Sequence, residues 1–337
     1  MTHGSTDLKL VLEGGSYLGM EKGCFVVKKG SNEKRYPLFE KEIGEVVLKS
    51  GNAVSTGALA SLGFWDIDVM IMTQRGRPVA ILKGLDDDSH VETRIAQYEA
   101  VKSPRGIEIA KQIIISKIEG RNSLLKKYGL KTFSPEIERL SFENLEQARR
   151  KLLNIEGRFD DFYFPQVFAL IPEKIRPELR RTFKAYDGVN NLFNLAYEML
   201  SWKVHRALIR AKLEPYLGFV HSMQFGKPSL VCDFMEIYRY LMDGFVVKHC
   251  QEITKKDFIT KAETQTRNKR GRREYLNDIK TRGFMGDLEG FFESFVDIPR
   301  IKHGDRQTIE TLINEEALLL AKHLRDEMQS WRPRLVG

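Results

Sequence analysis

The chain has three cysteines in 337 residues, Cys24, Cys232 and Cys250, and they form no CxxC pair. That excludes a zinc ribbon and a disulfide framework, and points to a reduced, cytoplasmic setting. No apolar run approaches the roughly 20 residues a membrane helix needs, so no membrane span is expected. The opening MTHGSTDLKL lacks the basic-then-apolar order of a signal peptide. No GxGxxG follows a strand, and neither HExxH nor GxSxG occurs, which removes dinucleotide, zincin and serine-hydrolase chemistry. Gly226-Lys227 is not a P-loop, because the stretch His221 to Phe225 before it holds no glycine.

What is present is positive charge. The net charge is +8, from 54 Lys and Arg against 46 Asp and Glu. Such a balance suits nucleic acid, and an anionic membrane surface would also fit. Six of the cations fall between Lys261 and Arg273, with almost nothing apolar among them. This run reads either as a solvated helix face or mobile loop, or as a flexible arm gripping phosphates through Arg267, Lys269, Arg270, Arg272 and Arg273.

Hydrophobic periodicity divides the chain. DLKLVLE, GCFVVKKG, EIGEVVLKSG, DIDVMIMTQ and RPVAILKG are short strand-like segments, with turns at Gly14-Gly15 and Gln74-Arg75-Gly76. One helix is predicted among them, from Ser55-Thr56 through GALASLGF. After Asp86-Asp87-Asp88-Ser89 the apolar spacing becomes three and four almost to the end. The acidic cluster with His90 reads more simply as a helix cap than as a second metal site. The expected fold is α+β in two domains: a small β domain over 1–86, then a larger all-α domain over 87–337.

The chemistry concentrates in GFVHSMQFGKPSLVCDFMEIYR, Gly218 to Arg239. His221 ends an apolar run, a Gly-Lys-Pro turn follows, and Asp233 and Glu236 then share one face of a predicted helix. A further carboxylate, Glu156, stands at a predicted junction before Gly157, next to the aromatic Phe159, Phe162, Tyr163 and Phe164. A carboxylate against that much apolar surface needs a partner. Carboxylates with an imidazole suit Mg²⁺ or Mn²⁺, the imidazole favouring Mn²⁺ modestly. On a polyanion such a cation serves phosphodiester cleavage or strand transfer.

These blocks together resemble the CRISPR-associated integrase family of spacer acquisition ("Cas-one"), over nearly the whole chain. The blocks are Asn154-Ile155-Glu156-Gly157 with Tyr163-Phe164, Asn191 to Leu200, Gly218 to His221, and Ser229 to Glu236. The resemblance implies Glu156, His221 and Glu236 as metal ligands and catalytic residues, with Asp233 as an alternate or water-mediated ligand. Many relatives carry aspartate where Glu236 stands, so which of the two acids binds directly is open. Arg94 and Gln97 in TRIAQY also match, for packing or DNA contact alike. Further implications are attack of an incoming 3′-hydroxyl on a repeat-edge phosphodiester, double-stranded and branched DNA as substrates, and a homodimer formed through the β domain. A small partner, "Cas-two", would bridge two dimers. A metal-dependent nuclease or transposase-like enzyme needs the same site, and a non-catalytic DNA scaffold needs only the charge.

Overall fold

Period-two alternation gives the first part of the chain its strands. In the computed structural model these are Leu8–Leu12 (β1), Tyr17–Glu21 (β2), Cys24–Lys29 (β3), Asn32–Pro37 (β4), Ile43–Lys49 (β5) and Ala53–Val54 (β6), then helix Thr56–Phe64 (α1), Asp68–Met72 (β7) and Pro78–Leu82 (β8). The structure describes residues 8–37, 43–65, 67–74, 78–82, 89–183, 185–266, 269–296 and 307–336. One sheet has the order β1-β5-β7-β8, parallel except for β8; the other has the order β4-β3-β2-β6. Leu10, Leu12, Leu18, Phe25, Val46, Leu62 and Val69 form their shared core. Ser55 caps α1 by accepting from Ala58 N at 3.1 Å, where the Ser-Thr pair placed its start. Strands β2 and β4 escaped the sequence reading for different reasons. Gly19 interrupts the first, and Asn32 to Arg35 of the second are all exposed, leaving no alternation to see.

The chain divides into two compact units, Met1–Asp88 and Ser89–Gly337. The second contains Ser89–Ala100 (α2), Pro104–Lys127 (α3), Leu145–Ala169 (α4), Gly188–Arg210 (α5), Ser229–Glu236 (α6) and Arg239–Cys250 (α7). A ribbon of Phe258–Thr266 (β9) and Lys269–Leu276 (β10) follows, then Asp278–Phe292 (α8), the short pair Phe295–Val296 (β11) and Gln307–Thr308 (β12), and Ile309–Leu324 (α9). Asn144 and Asp187 cap α4 and α5 by accepting from Gln147 N and Asn190 N at 2.9 and 2.7 Å. The core is one apolar cluster to which α3, α4, α5, α6, α7 and α9 all contribute.

Two details depart from expectation. The basic run is an antiparallel β ribbon, not a helix face or a loop. Glu274 N donates to Tyr186 O at 2.8 Å and Asn191 Nδ2 to Glu274 O at 2.7 Å, tying the ribbon to the start of α5. Helix α4 also runs straight through Glu156 and Gly157, so the predicted junction does not exist. Gly157 has open space around it, and the helix is held by the burial of Leu152, Phe159 and Tyr163 on either side. Asp86 to Asp88 and Arg75-Gly76 lie outside the described residues. No helix among the described residues is long and apolar enough to cross a membrane.

Candidate active site

Helices α3, α4 and α6 bring the site together. Lys117 and Arg121 are one turn apart on the buried face of α3, and Glu156 and Asp160 are one turn apart on α4. Glu236 ends α6 and is 2 % exposed. The Lys117 ammonium, itself fully buried, contacts Glu156 directly, Asp160 at 3.2 Å and Glu236 Oε2 at 3.1 Å. Two of the acids singled out in the sequence therefore touch one nitrogen. Glu236 Oε1 is held by Arg239 Nη1 at 3.0 Å. Burial would raise the Glu236 carboxyl, but the charges of Arg239, Lys117, Arg121 and His221 outweigh it and hold its pKa at about 2.

His221 is placed by its neighbours rather than by a helix. Asp233 Oδ2 accepts from Phe219 N at 2.5 Å and Val220 N at 2.9 Å; Oδ1 accepts from His221 N at 2.8 Å and lies 2.6 Å from His221 Nδ1. From the other side, Arg149 of α4 donates to Phe219 O at 2.9 Å and Gly218 O at 2.7 Å. Gly218 is required here, since a Cβ would stand 2.6 Å from Asp233 Oδ2 and 2.9 Å from Ser229 O. Nδ1–H donates to the Asp233 carboxylate, and in the neutral ring Nε2 is then the acceptor. Burial lowers the His221 pKa, but the hydrogen bond and charge of Asp233, with the charges of Glu236 and Glu156, raise it overall.

Asp233 thus spends both oxygens on the backbone and imidazole. Gln97 is a buried brace for the same loop, accepting from Glu214 N at 2.8 Å and donating to Leu217 O at 2.8 Å and Glu214 O at 3.1 Å. Arg94 stands 4.0 Å from Glu214. Of the expected phosphate-binding cations, Arg267 lies outside the described residues, Lys269, Arg270, Arg272 and Arg273 lie on β10, and of these Arg272 is exposed and Arg273 half-buried.

The sequence reading missed Lys117, Arg121, Asp160 and Asp243. Arg121 contacts Asp160 and donates to Asp243 Oδ2 at 3.2 Å; Tyr163 donates to that oxygen at 2.9 Å and Tyr197 to Oδ1. For Lys117 and Arg121 the signal was two cations four residues apart inside the largely apolar run IIISKIEGRNSLL, where a solvated face would not be apolar.

Among the described residues no three His, Cys, Asp or Glu side chains converge at ligating distance. The donor set still suits a hard dication. Glu236 Oε2 is buried and takes no hydrogen bond from the described residues, although the Lys117 ammonium lies 3.1 Å away. A cationic group already bridges Glu156 and Glu236, and the imidazole tautomer is fixed as a ligand would need it.

Fold and site together define a class: a β unit, then a helical unit that holds carboxylates from separate helices against buried basic side chains. Within that class the chain belongs to a family. The family "CRISPR associated protein Cas1" matches residues 10–281, and the chain is a member of it. A CRISPR-associated endonuclease Cas1 of Korarchaeum cryptofilum is 29% identical over 264 residues, covering 71% of this chain and 77% of its own. One from Thermus thermophilus is 27% identical over 341 residues, covering 98% and 97%. A solved partial Cas6-RT-Cas1–Cas2 complex contains a chain of like fold, with a TM-score of 0.68, 21% identity and coverage of 97% and 98%.

Proposed function

We propose that this chain is a DNA integrase with endonuclease activity that inserts short foreign DNA fragments into a CRISPR repeat array, as in spacer acquisition. Its family membership supports the activity class, and its relatives are named as endonucleases. The observation that carries the reading is the sharing of one Lys117 nitrogen by Glu156 and Glu236, from separate helices, whose charges reach an oriented His221. Glu156, His221 and Glu236 would hold a divalent cation, Mg²⁺ or Mn²⁺. Such a cation, when bound, lowers the pKa of a hydroxyl nucleophile and neutralises charge on a phosphoryl oxygen.

The remaining steps belong to the side chains. Asp233 fixes the imidazole through Nδ1 and is assigned to positioning rather than ligation, because its oxygens are already committed. Arg239 holds Oε1 of Glu236, and Oε2, which faces the Lys117 ammonium at 3.1 Å, is the oxygen a cation would take. Exposed cations on β10 would take phosphates of double-stranded or branched DNA without reading sequence. The β unit, Met1–Asp88, is assigned to homodimer contact. A Cas2 subunit is assigned as partner, on the likeness to the chain in the Cas1–Cas2 complex.

The test is integration into a supercoiled, repeat-containing plasmid with Mn²⁺, Mg²⁺ or chelator. Activity should require the metal and vanish in Glu156→Ala. Metal-independent joining, or an unaffected Glu156→Ala, sinks the reading.

A further inference from the structure

The Lys117 ammonium stands among three carboxylates, and its three contacts are not alike. It donates hydrogen bonds to Glu156 and to Asp160 Oδ2, the latter at 3.2 Å, both on α4. Toward Glu236 there is charge alone: Oε2 lies 3.1 Å away, buried, and takes no hydrogen bond from the described residues. Asp160 is also the outermost of the three, with 28% of its side chain exposed against 16% for Glu156 and 1% for Glu236.

A divalent cation held by Glu156 and Glu236 needs the two carboxylates that now face Lys117. A dication and an ammonium cannot share them, because repulsion over a few ångströms is poorly screened in a site this buried. The ammonium has to leave when the cation enters, and an unpaired ammonium is costly to keep away from water. Asp160 offers it a place. That carboxylate already accepts from Lys117, stands one helical turn from Glu156 and is partly open to water. Arg121 also contacts Asp160 and is itself pinned to Asp243 Oδ2 at 3.2 Å, so Asp160 stays put while Lys117 moves. We propose that Lys117 and the divalent cation exchange on Glu156 and Glu236, and that Asp160 is the carboxylate onto which the displaced ammonium swings. Asp160 is then a positioning residue, which touches neither the cation nor the DNA and acts by keeping Lys117 paired in the loaded state. The inference rests on the cation site proposed above and adds to it the residue that draws off its internal competitor.

The test is titration calorimetry of Mn²⁺ into the full chain, without DNA, across a double-mutant cycle. Lys117→Met removes the competitor and should tighten Mn²⁺ binding by about tenfold. Asp160→Asn alone should weaken it by about tenfold, within the range for residues that act through a ligand's surroundings. Beside Lys117→Met, where no ammonium needs a place, the same Asp160→Asn change should alter affinity by less than about twofold. Asp160→Glu keeps a carboxylate within reach of the ammonium and should bind as the wild type does. A second measurement needs no substitution. Lys117, shielded when chelator is present, should become open to acetylation by acetic anhydride on Mg²⁺ loading, read by mass spectrometry of the digested chain. An Asp160→Asn loss that persists in full beside Lys117→Met makes Asp160 a ligand and overturns the exchange, as does metal binding with Lys117 still shielded. If the wild type binds no Mn²⁺, the cation site fails and the exchange with it. If the wild type binds and Asp160→Asn binds equally well, the exchange alone fails.

Discussion

The Lys117 ammonium lies 3.1 Å from Glu236 Oε2, an oxygen that takes no hydrogen bond from the described residues. Lys117 touches three carboxylates from two helices. Its charge does in the protein alone what a divalent cation would do on loading: it keeps buried negative charges compatible with the fold.

That role has a measurable consequence. Removing one partner from a buried ion pair costs about 3 kcal/mol, because the charge left behind is uncompensated. Lys117→Met should therefore lose roughly 3 kcal/mol in urea unfolding with chelator present. Adding Mn²⁺ should restore stability more in the variant than in the wild type, since a ligand that binds only the folded state stabilises it. Equal Mn²⁺ stabilisation of both proteins would separate Lys117 from the cation site.

His221 and Asp233 predict a pH effect with a definite sign. The folded His221 pKa is raised above its ordinary 6.5, so its stabilising contribution is complete below 6.5 and fades as pH rises through the folded value. Ligation needs the neutral ring, so Mn²⁺ affinity should run the opposite way and fall as pH drops through a midpoint above 6.5. Asp233→Asn removes the negative charge beside the imidazolium, so the midpoint should move down while the plateau affinity falls about tenfold or more. Titration calorimetry from pH 5.5 to about 8.5 would show it, a range that brackets the ordinary histidine value. An unmoved midpoint would mean that Asp233 serves only the backbone amides. His221→Ala should abolish strand transfer and leave duplex binding intact; matched losses in both would mark His221 as a folding residue.

Gly218 offers a test that leaves every charged residue in place. Its added Cβ would meet Asp233 Oδ2 at 2.6 Å and the Ser229 backbone at 2.9 Å, and the latter cannot swing aside. Gly218→Ala should displace the amides that Asp233 holds and turn His221 away. Strand transfer should drop by about a hundredfold, the scale expected for a small misplacement of a reacting group. Full activity in a folded Gly218→Ala protein would show that the loop tolerates the shift.

The acids and the histidine were legible because each stands out against apolar neighbours: Asp233 and Glu236 inside SLVCDFME, His221 at the end of GFV. Their partners were not, because Lys117 and Arg121 look like ordinary helix-surface cations until α3 is seen buried on nearly all sides. Gly157 suggested a break that the packing of Leu152 and Phe159 overrides. The β ribbon was hidden by its own charge, since β9 and β10 carry few apolar residues to alternate.

That ribbon supplies the remaining prediction. Because β10 is paired along its length with β9 and tied to α5 through Glu274, its cations are presented by a fixed edge rather than a loose arm. A fixed edge meets phosphates at set positions, so each cation should add its own share to the salt dependence of binding. Neutralising Arg270, Arg272 and Arg273 together should weaken DNA binding and lower the slope of log affinity against log salt by roughly 1 for each phosphate no longer neutralised. Arg272, which is exposed, should account for more of that change than the half-buried Arg273. An unchanged slope would take the ribbon off the DNA path and leave the net charge of +8 to act from elsewhere.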